Sequence, residues 1–80
     1  MYIPNPNNGV FNISASFREI HERIQIDVID LSGNTIRRKQ KDDVQLLEDT
    51  IDVSDVAQGV YIVRFVFENG RILNKKIVKL

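Results

Sequence analysis

Apolar residues occupy every second position in two stretches of the first half of the chain. Residues 10–17 and 24–28 alternate apolar with polar side chains, a period of two that is typical of strands with one buried face. The apolar members are Phe11, Ile13, Ala15, Phe17, Ile24, Ile26 and Val28. Polar residues dominate positions 18–23 between the two stretches, so we predict a loop there.

A tight turn is predicted after the second stretch. The alternation shifts phase at Ile29 and Leu31, which indicates a β-bulge. Residues 31–34 have turn composition, with Gly33 at the position that needs a positive φ. Residues 35–39 return as a short strand, so a hairpin is expected up to Lys39.

The clearest pattern lies near the end of the chain. Residues 60–67 are nearly all β-branched or aromatic, so both faces are apolar and we predict a central strand covered on each side. Asn69-Gly70 is a strong signal for a two-residue type I′ hairpin turn. Such a turn places Phe67 opposite Ile72 on the returning strand.

The remaining segments complete an all-β pattern. Residues 44–47 suggest either a strand or a short helical turn, residues 50–53 suggest a strand, and residues 54–59 a connection in which Ser54 could cap one helical turn. The count is six or seven short strands with no long helical period. It predicts a small antiparallel, immunoglobulin-like β-sandwich that ends in a β-hairpin.

One domain accounts for the whole length of 80 residues. Pro4 and Pro6 each remove a backbone donor, so residues 1–9 are expected to form an extended leading segment and residues 10–80 the sandwich. Met1 is interpreted as a start codon added to a fragment. The natural chain would then extend upstream, and any export signal would lie there.

Composition limits the function classes. Eleven Lys and Arg balance eleven Asp and Glu, whereas a nucleic-acid-binding domain carries a basic excess. The chain shows neither a run of about 18 apolar residues nor a charged start before an apolar core, so we expect no membrane span and no signal peptide. It contains no cysteine, so disulfides and cysteine-based zinc sites are ruled out.

Candidate chemistry is sparse. His21 stands alone in the predicted polar loop and no serine lies in a nucleophile motif, so we expect no enzymatic activity and no cofactor. Asp49, Asp52 and Asp55 are possible calcium ligands, but their spacing is not that of an EF-hand loop, and solvated turn carboxylates are the simpler interpretation. Tyr2 is the one aromatic residue that looks available to stack on a sugar.

Several short motifs, taken in order, resemble one family. They are Tyr2-Ile3-Pro4-Asn5-Pro6-Asn7-Asn8-Gly9, Ile26-Asp27-Val28-Ile29-Asp30-Leu31-Ser32-Gly33, Thr50-Ile51-Asp52-Val53-Ser54, Gly59-Val60-Tyr61-Ile62-Val63-Arg64, Asn69-Gly70 and Lys75-Lys76-Ile77-Val78-Lys79. Together they resemble the C-terminal sorting domain of the type IX (Por) secretion system of the Bacteroidetes. The family often begins with Tyr-Pro-Asn-Pro, and here Ile3 separates the tyrosine from the first proline.

The resemblance implies a function without catalysis. Such domains end secreted cargo proteins, are recognised by the outer-membrane type IX translocon, and are often removed by a surface sortase that anchors or releases the cargo. It therefore implies a covalently linked upstream cargo domain and a route through the periplasm to the outer-membrane surface or the extracellular space. The residues it marks as candidates for sorting are Pro4, Asn5, Pro6, Gly9, Asp30, Gly33, Gly59, Tyr61, Gly70, Lys75, Lys76 and Lys79.

Two further expectations accompany this interpretation. The alternative function is an appended β-sandwich binding module for carbohydrate or protein adhesion. The last strand is expected at a sheet edge, where Lys75, Lys76 and Lys79 would fix the register of a partner strand. Because an exposed edge also permits self-pairing, we expect a monomer or a weak strand-paired dimer.

Overall fold

Four antiparallel strands form one sheet in a computed structural model that describes residues 9–80. The strands are β1 (Val10–Asp30), β2 (Thr35–Asp52), β3 (Gly59–Phe67) and β4 (Ile72–Lys79). Their order across the sheet is β2-β1-β3-β4, so β2 and β4 lie at the edges. The prediction of an all-β, antiparallel chain is confirmed, and so is the central position of β3.

The predicted strand count is wrong. The segment 18–23, predicted as a loop, lies inside the 21 residues of β1, and the separate strands predicted between residues 35 and 53 belong to the 18 residues of β2. Within residues 9–80 the four strands join through hydrogen bonds in a single sheet, so an immunoglobulin-like sandwich of six or seven strands is not shown. An interruption of the alternating pattern shows where the burial of a strand changes, and such a change does not always mark the end of the strand.

The first two strands bend sharply. At about 3.3 Å per residue β1 would extend roughly 70 Å, twice the 35 Å longest dimension of the molecule. The bend lies where the pairing skips from Ser16 opposite Leu46 to His21 opposite Val44, which leaves four residues of β1 against one of β2. Asp43, beside this corner, is the one non-glycine residue among residues 9–80 with a positive φ, at 53°.

The bend lets the β1–β2 ribbon close a core. Every second residue of residues 11–15 is buried, as are those of β3 that face the same interior. Both sets belong to one cluster, in which the largest fully buried side chains are Phe11, Phe65, Ile13, Ile24, Ile26, Leu47 and Ile77. The part of the ribbon beyond the bend, residues 10–16 paired with residues 46–52, therefore packs over the core-facing side of the sheet. The alternation correctly predicted which side chains of residues 11–15 are buried.

The β3–β4 hairpin has a different turn from the one predicted. The amide of Gly70 donates to the carbonyl of Phe67 at 2.9 Å, and the amide of Phe67 donates to the carbonyl of Arg71. Gly70 has a φ of 87°, whereas Asn69 has no positive φ. This is the three-residue loop with a glycine bulge rather than the type I′ turn.

The extra loop residue moves the register by one. Phe67 lies opposite Arg71 rather than Ile72, and Tyr61 lies opposite Ile77. Because side chains alternate between faces, one residue of slip decides which face each side chain of β4 joins. Ile77 is consequently fully buried.

Two smaller predictions near the other turns have opposite outcomes. The predicted bulge is confirmed, because the pairing shifts between Val28 and Ile29, where β2 carries the additional residue Ile36.

The prediction of a helical turn capped by Ser54 is wrong, since residues 53–58 form turns and bends. Ser54 instead donates its amide and hydroxyl to the carboxylate of Asp52, at 2.9 and 2.6 Å.

Candidate functional site

The strand register brings several candidate sorting residues to one end of the sheet. Asp30 pairs with Tyr61, and Gly59 pairs with Lys79 two positions further along. The turn at Gly33 follows Asp30 directly. We call this end, made of the β1–β2 turn, the β2–β3 connection and the last residues of β4, the motif end.

A buried lysine holds the β2–β3 connection at the motif end. Lys79 is 8% exposed, and its ammonium group donates to the backbone carbonyls of Ser54, at 2.8 Å, and Val56. The hydroxyl of Tyr61 donates to the carbonyl of Ala57 at 2.5 Å. Two candidate side chains from different strands thus satisfy three carbonyls of one connection, which otherwise has little regular pairing.

The backbone of Gly9 packs against the same β2–β3 connection. Its carbonyl accepts a hydrogen bond of 2.7 Å from the amide of Val53. A β-carbon at this position would lie 2.7 Å from the Cα of Ser54 and 3.2 Å from the Cε of Lys79. The backbone therefore approaches so closely that the site accepts only a residue without a side chain.

Asp30 organises the β1–β2 turn. Its carboxylate accepts hydrogen bonds from the amides of Ser32 and Asn34, at 3.0 and 2.8 Å, and from the side-chain amide of Asn34. The backbone hydrogen bond from Asn34 is the main reason that the pKa of Asp30 lies below its ordinary value. Gly33 takes the expected positive φ of 91°, and its amide donates to the carbonyl of Asp30 at 3.0 Å.

The other candidates are not at the motif end. Gly70 lies at the opposite end of the sheet, in the β3–β4 turn. Lys75 and Lys76 are exposed on the edge strand β4. Pro4, Asn5 and Pro6 lie outside the described residues, and so does the leading segment up to residue 8.

Sequence reasoning missed a set of ion pairs across the folded ribbon. Arg37 pairs with Asp55, and Lys39 and Lys41 both reach Asp49, at 3.2 and 2.9 Å. The signal was present as a basic run at residues 37–41 followed by acidic residues at 42–55. The sequence alone does not show that the two runs pair, because the fold-back that joins them depends on the corner in β1 and β2.

The predicted loop position of His21 is also wrong. It is not in an exposed loop but in β1, with its side chain 18% exposed. Its Nδ1 lies 3.0 Å from a carboxylate oxygen of Glu68, and its ring lies 4.8 Å, centroid to centroid, from those of Phe17 and Phe67. These contacts join the ribbon corner to the β3–β4 hairpin.

Comparison with known proteins identifies the family. A family model described as a secretion system C-terminal sorting domain matches residues 1–79. The chain belongs to this family. This is a family of sorting signals for type IX secretion and not a family of enzymes. Membership implies a type IX secretion system, an upstream cargo, and export to the cell surface or extracellular space. A search of curated proteins finds no match.

The resemblance in the motifs is thus confirmed, and the remaining surface of the sorting domain can be described in that light. Residues 9–80 contain no helix long and apolar enough to cross a membrane. Four of the aromatic residues in this range are buried: Phe11, Tyr61, Phe65 and Phe67. Tyr2, the candidate for stacking on a sugar, lies outside the described residues.

The three possible calcium ligands contact separate partners in the sorting domain. Asp49 binds two lysines, Asp52 binds Ser54, and Asp55 binds Arg37. Within residues 9–80 no group of three His, Asp or Glu side chains is arranged to hold a metal ion. These side chains hold the ribbon and the connection in place.

Acid is predicted to weaken the sorting domain. Burial works to raise the pKa of Asp49, but hydrogen bonds from Lys41, the Thr50 amide and Lys39 outweigh it and hold the pKa below the ordinary value. The hydroxyl of Ser54 does the same for Asp52. A carboxylate with a lowered folded-state pKa contributes stability that is present above the unfolded-state pKa, about 3.9, and lost as the pH falls through the folded-state value.

We therefore expect the thermal midpoint to stay level from neutral pH to about pH 5 and to fall steeply below about pH 4. Circular dichroism melts across this range measure it. In Asp49→Asn the midpoint should be lower at neutral pH and should depend less on pH below 5, because one of the titrating groups is gone. A midpoint that rises on acidification below pH 4 would contradict the assignment.

Proposed function

We propose that the 80-residue chain is a single sorting domain that directs an upstream cargo protein across the outer membrane through the type IX translocon. The family match over residues 1–79 carries the proposal. The domain acts as the ligand that the translocon recognises and performs no chemistry of its own. The cargo travels through the periplasm and reaches the outer-membrane surface or the extracellular space.

The proposal includes the later steps that the family relationship suggests. A surface sortase cuts upstream of the domain, and the cargo is then attached to the surface or released. The partners are accordingly the translocon, the sortase machinery and the covalently linked cargo.

The candidate residues divide into two roles in this proposal. Gly9, Asp30, Tyr61 and Lys79 hold the loops of the motif end in place, because their side chains or backbones are engaged within the domain. Lys75 and Lys76 are exposed on β4 and contact the translocon. Neighbouring side chains of a strand point to opposite faces, so a partner along the edge of β4 would have one of these ammonium groups on each side.

A reporter fusion tests the proposal. The chain is joined to the C-terminus of a periplasmic reporter and expressed in a type IX-competent bacterium and in a strain without the translocon. We expect the reporter on the surface or in the medium of the first strain and in the periplasm of the second. A reporter that stays periplasmic in both strains would overturn the proposed function.

Charge reversal tests the role of the two lysines. Lys75→Glu with Lys76→Glu is expected to reduce export, with little change in the thermal midpoint because both side chains are exposed. Arg18→Glu with Arg23→Glu changes the net charge equally at exposed positions in β1 and should leave export intact. Equal loss in both pairs would show an effect of net charge rather than of these lysines.

A further inference from the structure

The sheet face opposite the core carries six apolar side chains on β1, β3 and β4, and the polar side chains of Gln25, Asp27, Arg64, Asn74 and Lys76 lie among them. Register places Ile62 beside Ile29, Val66 beside Ile72, and Val60 beside Val78. The odd-numbered residues of β3 point into the core, while the even-numbered ones remain half-buried. An antiparallel sheet with one solvated face normally places polar residues there. We call the set Ile29, Val60, Ile62, Val66, Ile72 and Val78 the outer face; Ile29 is only 7% exposed, Ile72 is 58% exposed, and the other four are half-buried.

The outer face is large enough to bind a partner. Three strands spaced about 4.8 Å apart and four rows of about 6.8 Å give the whole sheet face an area of roughly 400 Å², and the six apolar side chains occupy about half of its positions. Exposed apolar side chains bordered by polar residues often mark an interaction site. A surface of this size suits a transient interaction, such as that of a sorting signal with a transport machine.

Charge restricts the partner. Strands β3 and β4 contain Arg64, Lys75, Lys76 and Lys79 and no acidic residue. The carboxylate that β1 contributes to this side, Asp27, is 4% exposed and pairs with Arg38 at 2.9 Å. The outer face therefore combines β-branched side chains with the positive charges of Arg64 and Lys76. This combination disfavours a second copy of the chain, because like charges would meet.

The aromatic residues favour a protein over a lipid surface. Proteins that lie at a membrane interface commonly anchor there with Trp or Tyr, but the aromatic residues of β3 are Tyr61, Phe65 and Phe67, and all three face the core. The outer face offers flat rows of β-branched side chains, which suit a complementary protein surface.

We infer that the outer face is the surface by which the secretion machinery binds the domain, and that the partner is a protein surface which is apolar and carries carboxylates. The inference rests on the proposed function. It assigns recognition to a sheet face whose six apolar side chains are not among the candidate sorting residues.

Export of the reporter fusion tests the inference. Ile62→Thr with Val66→Thr keeps β-branched residues in the strand but removes apolar contact. Because the loss of two interface anchors commonly costs a factor of about ten or more in affinity, we expect export to fall about tenfold. Ile20→Thr with Leu46→Thr is the matched control, since these side chains are 62% and 61% exposed and lie outside the outer face. It should export normally.

Arg64 supplies a second variant. Arg64→Glu should reduce export and Arg64→Lys should preserve it, because only the first reverses the charge that a carboxylate partner needs. Circular dichroism of the purified variants establishes that they fold. If the threonine pair does not fold, the arginine variants decide the matter, and full export of Arg64→Glu overturns the inference.

The outcomes separate the two proposals. If the unaltered fusion is not exported, the proposed function fails. If it is exported and the threonine pair, correctly folded, is exported equally, only the outer-face inference fails. Binding of the purified chain to phosphatidylglycerol–phosphatidylcholine vesicles, lost in the threonine pair, would assign the face to lipid and overturn the inference. A dimer in sedimentation that the same variant dissolves would also overturn it.

Discussion

Gly9→Ala is expected to lower the free energy of unfolding by about 2–4 kcal/mol, which is a large fraction of what a chain of this size possesses. Two effects add. The φ of 119° at this position is costly for any residue with a side chain. In addition, the new β-carbon would lie 2.7 Å from the Cα of Ser54, so the β2–β3 connection would have to move.

Gly70→Ala separates the two effects. Gly70 also has a positive φ, of 87°, but no atom lies within 4 Å of the β-carbon that alanine would add. Its replacement should therefore cost only the backbone strain, about 1–2 kcal/mol. Urea unfolding of both variants gives the comparison. If Gly9→Ala proved no more destabilising than Gly70→Ala, the close packing of Gly9 on the connection would be refuted.

The local parts of the fold could be predicted from the sequence. Alternation identified the buried side of residues 11–15, and turn composition located the β1–β2 turn at Gly33 with its positive φ. Both features depend on neighbouring residues, and the sequence records them directly. The β3–β4 turn was located in the same way, but Asn69-Gly70 fits two loop types, and the choice between them moved every pair in β4 by one residue.

The long-range parts could not be predicted. Residues 18–23 are polar because the ribbon turns a corner there, and a polar stretch inside a bent strand has the same composition as a loop. The ion pairs between Lys39, Lys41 and Asp49 depend on that corner. The strand count and the ion pairs could therefore not be predicted for the same reason, which is that the sequence does not reveal the bend.

The candidate site shows the same division. The motifs identified which residues matter for membership of the family, but they did not indicate that Lys79 differs from Lys75 and Lys76. All three are lysines in one strand, and the difference arises from the register and from the connection that passes beside the end of β4. Only the structure distinguishes the buried Lys79 from the two exposed lysines.

Lys79→Met is expected to lower the free energy of unfolding by about 2–3 kcal/mol. Methionine replaces most of the apolar stem but removes the charged donor, so the carbonyls of Ser54 and Val56 lose their hydrogen bonds. Hydrogen bonds from charged groups contribute about 1.5–3 kcal/mol, and unsatisfied buried groups add a desolvation cost. Lys75→Met, at an exposed position of the same strand, should change stability by no more than about 0.5 kcal/mol.

Stability and export measured together decide whether the lysines have the two roles proposed for them. Lys79→Met should melt at lower temperature and show faster amide exchange in residues 53–58, and any loss of export should disappear when the cells grow at a temperature where the variant is folded. The glutamate pair at Lys75 and Lys76 should melt normally and fail in export at every temperature. If Lys79→Met melted like the unaltered chain, its hydrogen bonds would not hold the connection, and Lys79 would have to be considered with the other two as a contact for the translocon.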